Sequence, residues 1–476
     1  MGAKYIIGVD EGSQSAKIMI FDLKGTVVCQ ASHPLRPMCL GGGTVAEHPD
    51  DDWWDAIQIA CAQVMTKFDG NISDILALGL CTIRFCRAYL DINGFLAQPA
   101  LSWMDPRVSH PYSGDNPRIR YLTASSGYIT YRFTGNFHDS AGNYQGVWPM
   151  DTDTWNWISD DAELTKFGVT QDMLFKLQMP GEIAGYVTRE AAKTTGIPEG
   201  LPVVNTANDK AVEALGAGLT GGRTALLSLG TYIAAILQGD RNLKNTANFW
   251  TNFASVPGKY LYESCGIRRG MWMISWFKEV IGDAYEREAM AAGMIAEQFL
   301  DSEALMVPAG SGGLFTVLDW LAPTDKPWRK GLMIGFDGRH TRAHIYRSIL
   351  EAIAMTMKLR SEEMFAELNR GIDELIVSGG GSNSALFMQI TADVFGVPAK
   401  RNVINGAAGL GAAICAAVGV NAYASFDEAV RNMVKIRDAF HPKPQNTEAY
   451  RRMLPLYAAV TSHTDGFLEK AHSLLN

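Results

Sequence analysis

Short apolar runs alternate with short polar breaks at the start of the chain. Tyr5–Val9 and Ile18–Phe21 are apolar, and a polar knot from Asp10 to Ser15 separates them. A third run, Thr26–Val28, follows the turn residues Asp22 to Gly25. Runs of this length bounded by turn residues predict consecutive antiparallel strands. Residues 33–48 are an irregular Pro/Gly segment, after which the acidic stretch Asp50–Asp55 opens a helix running to Thr66, its carboxylates capping the helix and offsetting its dipole. Ile75–Cys81 and Ala88–Asp91 read as strands, Ser125–Thr134 as a helix, Leu201–Thr206 as a strand and Ala211–Leu219 as a helix. Strands alternating with helices predict an α/β protein.

The opening pattern then returns. Residues 224–237, TALLSLGTYIAAIL, are again strand, Gly-Thr turn and strand. One such hairpin at the start of each half points to duplication, and Gly221-Gly222 supplies a boundary between domains at 1–219 and 220–476. The second half continues with helices at Met271–Val280 and Ala343–Leu368, a strand at Glu374–Val377, the glycines Gly379, Gly380 and Gly381, and another helix. Ala407–Val420 is apolar and rich in Gly and Ala. It is too short to span a bilayer and suits a tightly packed core helix.

Composition narrows the class. At 476 residues the chain exceeds one core, and 47% hydrophobic with 19% charged residues is ordinary for a globular protein. A net charge of -8 without a basic block argues against nucleic acid as a partner. No signal-peptide pattern precedes the first strand, so neither export nor a membrane is expected. Cysteines at 29, 39, 61, 81, 86, 265 and 415 are irregularly spaced and read as reduced thiols of a cytoplasmic protein.

The polar knot has a chemical reading. A tight turn of Gly12, Ser13, Gln14 and Ser15 exposes backbone N–H groups, which bind phosphate oxygens as an anion nest. Asp10, at the strand end, cannot ligate an anion but can hold Mg²⁺ through water beside the phosphates. The alternative is an ordinary hairpin turn. The second tip, Gly230 and Thr231, lets two such turns grip a polyphosphate from both sides of a cleft. A third glycine site, Gly379 to Gly381 with Ser382 and Asn383, lies between strand and helix, where a flat ligand can approach the backbone.

An acceptor site would need different groups. Asp209 follows a buried strand and precedes a helix, which makes it either an N-cap or a general base aimed into a cleft. Arg84 ends a buried strand, and Trp103, Asp105 and Arg107 fall within five residues. Carboxylate, guanidinium and an aromatic face together suit a polyol. The plainer reading of Asp105 and Arg107 is a loop salt bridge.

In this order the motifs resemble the FGGY carbohydrate kinase family of the actin-like ATPase superfamily, over essentially the whole chain. The resemblance rests on residues 8–15, on Trp103-Met-Asp105-Pro-Arg107, on residues 208–218 around Asp209, on Ser228-Leu-Gly230-Thr231, on residues 331–335 and 344–351, and on residues 379–384 followed by 392–396. It implies two duplicated ribonuclease-H-like domains with a cleft between them. ATP and Mg²⁺ would lie in the cleft, with the base Asp209 and sugar contacts from Arg84, Trp103 and Asp105. The phosphates would rest on Gly12, Ser13, Gln14, Ser15, Gly230 and Thr231, the adenosine on Gly379, Gly380, Gly381, Ser382 and Asn383, and Mg²⁺ near Asp10. The acceptor would be a hydroxyl of a small sugar, ketose, sugar acid or polyol, and the resemblance leaves room for a homodimer.

Three departures stand out: Gly12-Ser13 in place of Gly-Thr, a short segment between Arg107 and Ser125, and residues 318–323 in place of the family's Gly-Glu-Arg-x-Pro loop. With less wall at 108–124, the pocket is expected to admit a longer or acidic sugar. The rival classes are an actin-like ATPase switch and a catalytically silent sugar sensor. The loop around Trp103 argues against the first, and the presence of Asp10 and Asp209 against the second.

Overall fold

The computed structural model describes residues 3–41, 45–230, 232–323 and 326–475. Two sheets organise the chain. The first contains β1 (Tyr5–Glu11), β2 (Ser15–Asp22), β3 (Val27–Pro34), β4 (Ile75–Thr82), β5 (Ile183–Tyr186) and β6 (Pro202–Asn205), in the order β5-β6-β4-β1-β2-β3. The second contains β7 (Thr224–Leu229), β8 (Ile233–Gly239), β9 (Phe249–Phe253), β10 (Tyr260–Ser264), β11 (Glu374–Ser378), β12 (Ala399–Asn402) and β13 (Ile436–Phe440), in the order β9-β10-β8-β7-β11-β12-β13.

The sheets repeat one pattern of directions. An antiparallel hairpin, β1–β2 or β7–β8, is extended on one side by an antiparallel strand, β3 or β10. On the other side come two parallel strands, β4 and β6 or β11 and β12, and then an antiparallel edge, β5 or β13. This is the duplicated α/β fold expected from the two hairpins. The central strands read as near-continuous apolar runs because both faces are covered.

Helix α1 (Asp52–Lys67) covers one face of the first sheet and buries Trp53, Trp54, Ile57 and Val64. Its cap differs from expectation. Asp51 occupies the cap position without capping, because its carboxylate pairs with Arg132 and accepts from Tyr128 Oη at 2.6 Å. Asp52 instead accepts from Arg36 N at 3.0 Å, which ties the helix start to the segment after β3. That segment is less irregular than its Pro/Gly content suggests, since residues 39–41 and 45–47 pair as short antiparallel strands.

The opposite face of the first sheet is covered from the other half of the chain. The helix at Ala407–Gly419, here α5, packs there, and α2 (Asp209–Ala217), from the first half, packs on α5 and buries Ala211, Val212 and Ala214 with Leu226, Ile236 and Ile376 of the second sheet. Helices α3 (Arg342–Glu367) and α4 (Ala385–Phe395) cover the second sheet, and α6 (Pro444–Leu475) packs on both of them. The Gly/Ala composition of α5 permits backbone-to-backbone approach. A Cβ on Gly8 would fall 2.1 Å from Gly409 O, and one on Gly79 would fall 2.0 Å from Ala412 O. The helix is thus clamped across β1 and β4 by positions that exclude any side chain. All seven cysteines are free, and among the described residues no helix is long and apolar enough to cross a membrane.

Candidate active site

The ends of β1, β4, β7 and β11 and the start of α2 converge between the sheets. At the tip of β1–β2, Gly12 N donates to Ser15 O at 3.0 Å and closes the turn, while Ser13 and Gln14 are exposed. Gln14 O accepts from Leu35 N at 2.8 Å, which anchors the turn from behind. Asp10 lies at the end of β1, opposite Lys17. Burial and then Asp209 push its carboxyl up to about 6, against the pull of Lys17.

The second hairpin brings Ser228 and Gly230 to the same cleft; Thr231 lies outside the described residues. Ser228 is buried and engaged. Lys210 Nζ donates to its Oγ at 2.7 Å, and that Oγ lies 2.9 Å from Glu213 Oε1. The base of this turn is therefore tied to α2, in the other half of the chain.

The glycine segment after β11 packs directly on the second hairpin. Gly379 has φ +94°, and a Cβ there would stand 2.4 Å from Leu229 O, so only glycine fits. Gly380 is the reverse case, with nothing within 4 Å of its Cβ direction. Residues 380–383 form a single 3-10 turn, so the glycines do not lead straight into the helix. The start of α4 is capped by Ser384, whose Oγ accepts from Phe387 N at 2.9 Å. Ser382 is buried, with Oγ 2.8 Å from both Gly379 O and Asn405 Oδ1, and Asn383 Oδ1 accepts from Asn405 Nδ2 at 3.0 Å. Both side chains hold the loop, leaving Gly380 as its open surface.

Asp209 is the first residue of α2, and its neighbour does the capping: Asn208 Oδ1 accepts from Ala211 N at 3.2 Å. The Asp209 carboxylate is left partly exposed to the cleft, with Oδ1 3.7 Å from Arg84 Nε. Burial holds it above the usual aspartate range even though Arg84 and Lys210 pull it down.

Arg84 differs from a free sugar-binding cation. Its Nη1 and Nη2 reach Glu263 Oε2 and Oε1 at 3.1 and 3.2 Å, so it spans from β4 to β10 on the second sheet. Glu263 also accepts from Trp250 Nε1 at 3.1 Å and Asn252 Nδ2 at 2.8 Å. The Arg84 guanidinium lies 5.3 Å from the ring of Phe85, a residue held at φ +63°. Such a conformation is uncommon for an aromatic residue and concentrates at functional sites. Sequence reasoning missed Phe85, Lys210, Trp250 and Glu263, and Tyr232, whose ring lies 6.1 Å from that of Trp250. A glutamate inside the wholly apolar-patterned strand YLYES is the one local signal that could have found Glu263.

The loop after the short strand Ala88–Leu90 divides its residues. Trp103 is half-exposed, whereas Asp105 is 1% exposed and saturated. Asp105 accepts from Ala46 N at 2.8 Å, Arg107 N at 2.9 Å, and Arg107 Nε and Nη2 at 2.9 and 2.7 Å. The expectation that Asp105 accepts sugar hydroxyls gives way, because no oxygen remains free in this geometry; the loop salt bridge describes it. Burial would raise this carboxyl, but the Arg107 and Ala46 donors outweigh that and hold it at about 2. A folded value below the unfolded one stabilises above the ordinary 3.8, and the contribution disappears as pH falls through about 2. Asp105→Asn is therefore expected to cost roughly 1–3 kcal/mol near neutrality. In urea unfolding repeated down the pH scale, that deficit should close on the acid side; a deficit independent of pH would contradict this role.

Among the described residues no group of three or more His, Cys, Asp or Glu side chains could cage a metal ion. A Mg²⁺ carried largely by water and phosphate oxygens needs no such cage. Asp10, which feels the Asp209 and Glu213 carboxylates, would suit such an ion by adding a water-bridged oxygen.

Comparison with known proteins agrees with this geometry. The model of the N-terminal domain of the FGGY family of carbohydrate kinases matches residues 5–114 and 110–216, and that of the C-terminal domain matches residues 225–420. The uncharacterized sugar kinase YgcE of Escherichia coli (strain K12) is 46% identical over 477 residues, covering 100% of this chain and 97% of the relative. Among solved structures, gluconate kinase from Lactobacillus acidophilus superposes with a TM-score of 0.84 at 19% identity, covering 98% of this chain and 100% of that one. Xylulose kinase from Rhodospirillum rubrum gives 0.84 at 23% identity, with the same coverage of 98% and 100%. The duplicated sheets, the cleft and the two domain matches converge: this chain belongs to the FGGY family of carbohydrate kinases.

Proposed function

We propose that this kinase transfers the γ-phosphoryl group of ATP to a hydroxyl of a small sugar or polyol, with Asp209 as the general base. The observation that carries this is the position of Asp209. It is not used to cap α2 and stays partly exposed at its head, with Oδ1 3.7 Å from Arg84 Nε and near enough to Asp10, at the end of β1, to raise that carboxyl. Residues 1–219 and 220–476 serve as the two lobes in this reading, the first holding the sugar and the second the nucleotide.

Amides around Gly12–Ser15 and the Gly230 turn receive the β- and γ-phosphate oxygens. Asp10, through water, would hold a Mg²⁺ whose chemistry is to offset the phosphate charge. Asp209 takes the proton from the acceptor hydroxyl as its oxygen bonds to the γ-phosphorus, and the bond to the β-phosphate oxygen breaks to release ADP. Trp103 offers an aromatic face to sugar C–H groups. Closure of the cleft would keep water from the phosphoryl group.

Gly380 marks the adenosine side. Gly380→Val should fold, since its side chain meets open space. It should weaken ATP by about 5–150-fold, the equivalent of roughly 1–3 kcal/mol of overpacking. Calorimetry returning the wild-type ATP affinity would remove this loop from the nucleotide site. The function itself is tested by coupled ADP release across ketoses, polyols and aldonates. Sugar-dependent release supports the kinase, sugar-independent release an ATPase switch, and sugar binding without release a sensor.

A further inference from the structure

We propose that Glu263 makes the acceptor pocket selective for an uncharged sugar or polyol over a sugar acid, by occupying Arg84 from across the cleft. The inference rests on the kinase reading above and deepens it. Recognising a sugar carboxylate requires a cation with free N–H donors, best a guanidinium used in bidentate fashion. Arg84 is the guanidinium beside the base, and it lies between two carboxylates, hydrogen-bonded to one of them. Its two Nη atoms meet Glu263 at 3.1 and 3.2 Å, and its Nε lies 3.7 Å from Asp209 Oδ1. Glu263 is 1% exposed and is held from behind by Trp250 Nε1 and Asn252 Nδ2, so it cannot swing away from Arg84 without leaving those donors unpaired.

The neighbouring cations are also committed. Lys210 Nζ is 2.9 Å from Glu213 Oε2 and 2.7 Å from Ser228 Oγ, and Lys17, opposite Asp10 on β2, is close enough to draw that carboxyl down. Arg84, Lys17 and Lys210 thus face four carboxylates, Asp10, Asp209, Glu213 and Glu263. A carboxylate on the acceptor would add a further negative charge beside these, where Arg84 and Lys210 are already paired with Glu263 and Glu213. An uncharged polyol avoids that cost and gains aromatic surface. Phe85 and Trp250 are each 37% exposed and Trp103 46%, and the Tyr232 and Trp250 rings lie 6.1 Å apart. The open wall at 108–124 by itself suggested room for an acidic sugar; the charge pairing opposes one.

The test compares matched pairs, a pentitol with its pentonate and a hexitol with its hexonate, together with ketopentoses, in a coupled ADP assay. The kcat/KM of the preferred neutral compound should exceed that of its acid by about tenfold or more. Glu263→Gln keeps the shape but removes the charge, so it should narrow or reverse that ratio while the KM for ATP stays within about twofold. Arg84→Gln should widen the ratio, whatever it does to the rate, and it supplies a second readout if the first variant does not fold. A merely structural ion pair would lower rates for both members of a pair and leave the ratio in place. A wild-type preference for the acid, or a ratio unchanged by both substitutions, overturns the proposal. Absence of ADP from every compound, with ATP bound, overturns the kinase reading instead.

Discussion

Asp209→Asn is expected to lower kcat by about 10²–10⁴, the range for removing a general base, while ATP binding and folding persist. The asymmetry follows from what Asp209 does in the fold. Helix α2 is capped by Asn208, so the Asp209 side chain is not needed to start the helix. Its one backbone hydrogen bond, from Lys210 N at 2.9 Å, is to an oxygen that the amide can retain. Arg84 would face a neutral group and keep its pair with Glu263. What asparagine cannot do is take a proton. Steady-state kinetics on the identified sugar, with calorimetry for ATP, checks this; near-normal turnover in the variant would withdraw Asp209 as base.

The second large effect is structural. Gly79→Ala should destabilise the protein by at least about 3 kcal/mol, beyond the usual overpacking cost. The added Cβ would stand 2.0 Å from Ala412 O and 2.7 Å from its carbonyl carbon. Those are backbone atoms of α5, so no rotamer change relieves the overlap, and α5 would have to lift from β1 and β4 together. Because α5 comes from the second half and lies on the first sheet, such a lift would loosen the two halves at once. Gly380→Ala, with open space at its Cβ, is the matched control. Urea midpoints that coincide for the two variants would contradict this view of the helix.

The β1–β2 hairpin and its echo at β7–β8 were legible because buried runs broken by Gly and Ser obey a local rule. The tight packing of α5 was legible from its glycines and alanines alone. Caps were harder. Asn208 and Asp209 are adjacent and cap equally well in general, so the chain alone could not say which was left free to act as base. Among Asp50, Asp51 and Asp52, the partners Arg36 and Arg132 decide the roles, and both lie outside the helix. Asp105 looked like a sugar ligand because the Ala46 amide that saturates it belongs to a segment 59 residues away. Arg84 and Glu263 are separated by 179 positions, and no periodicity links them. No element was expected at residues 444–475, where Pro455 lies inside a continuous helix that packing on α3 and α4 sustains.

The most direct measurement follows the γ-phosphate itself. Phosphorus NMR of ATP incubated with the protein and its sugar should show one phosphomonoester appearing in step with ADP, with little inorganic phosphate, and Asp209→Asn should suppress that signal. Inorganic phosphate as the main product, or a phosphomonoester formed as fast by the variant as by the wild type, would contradict phosphoryl transfer to a sugar hydroxyl through Asp209.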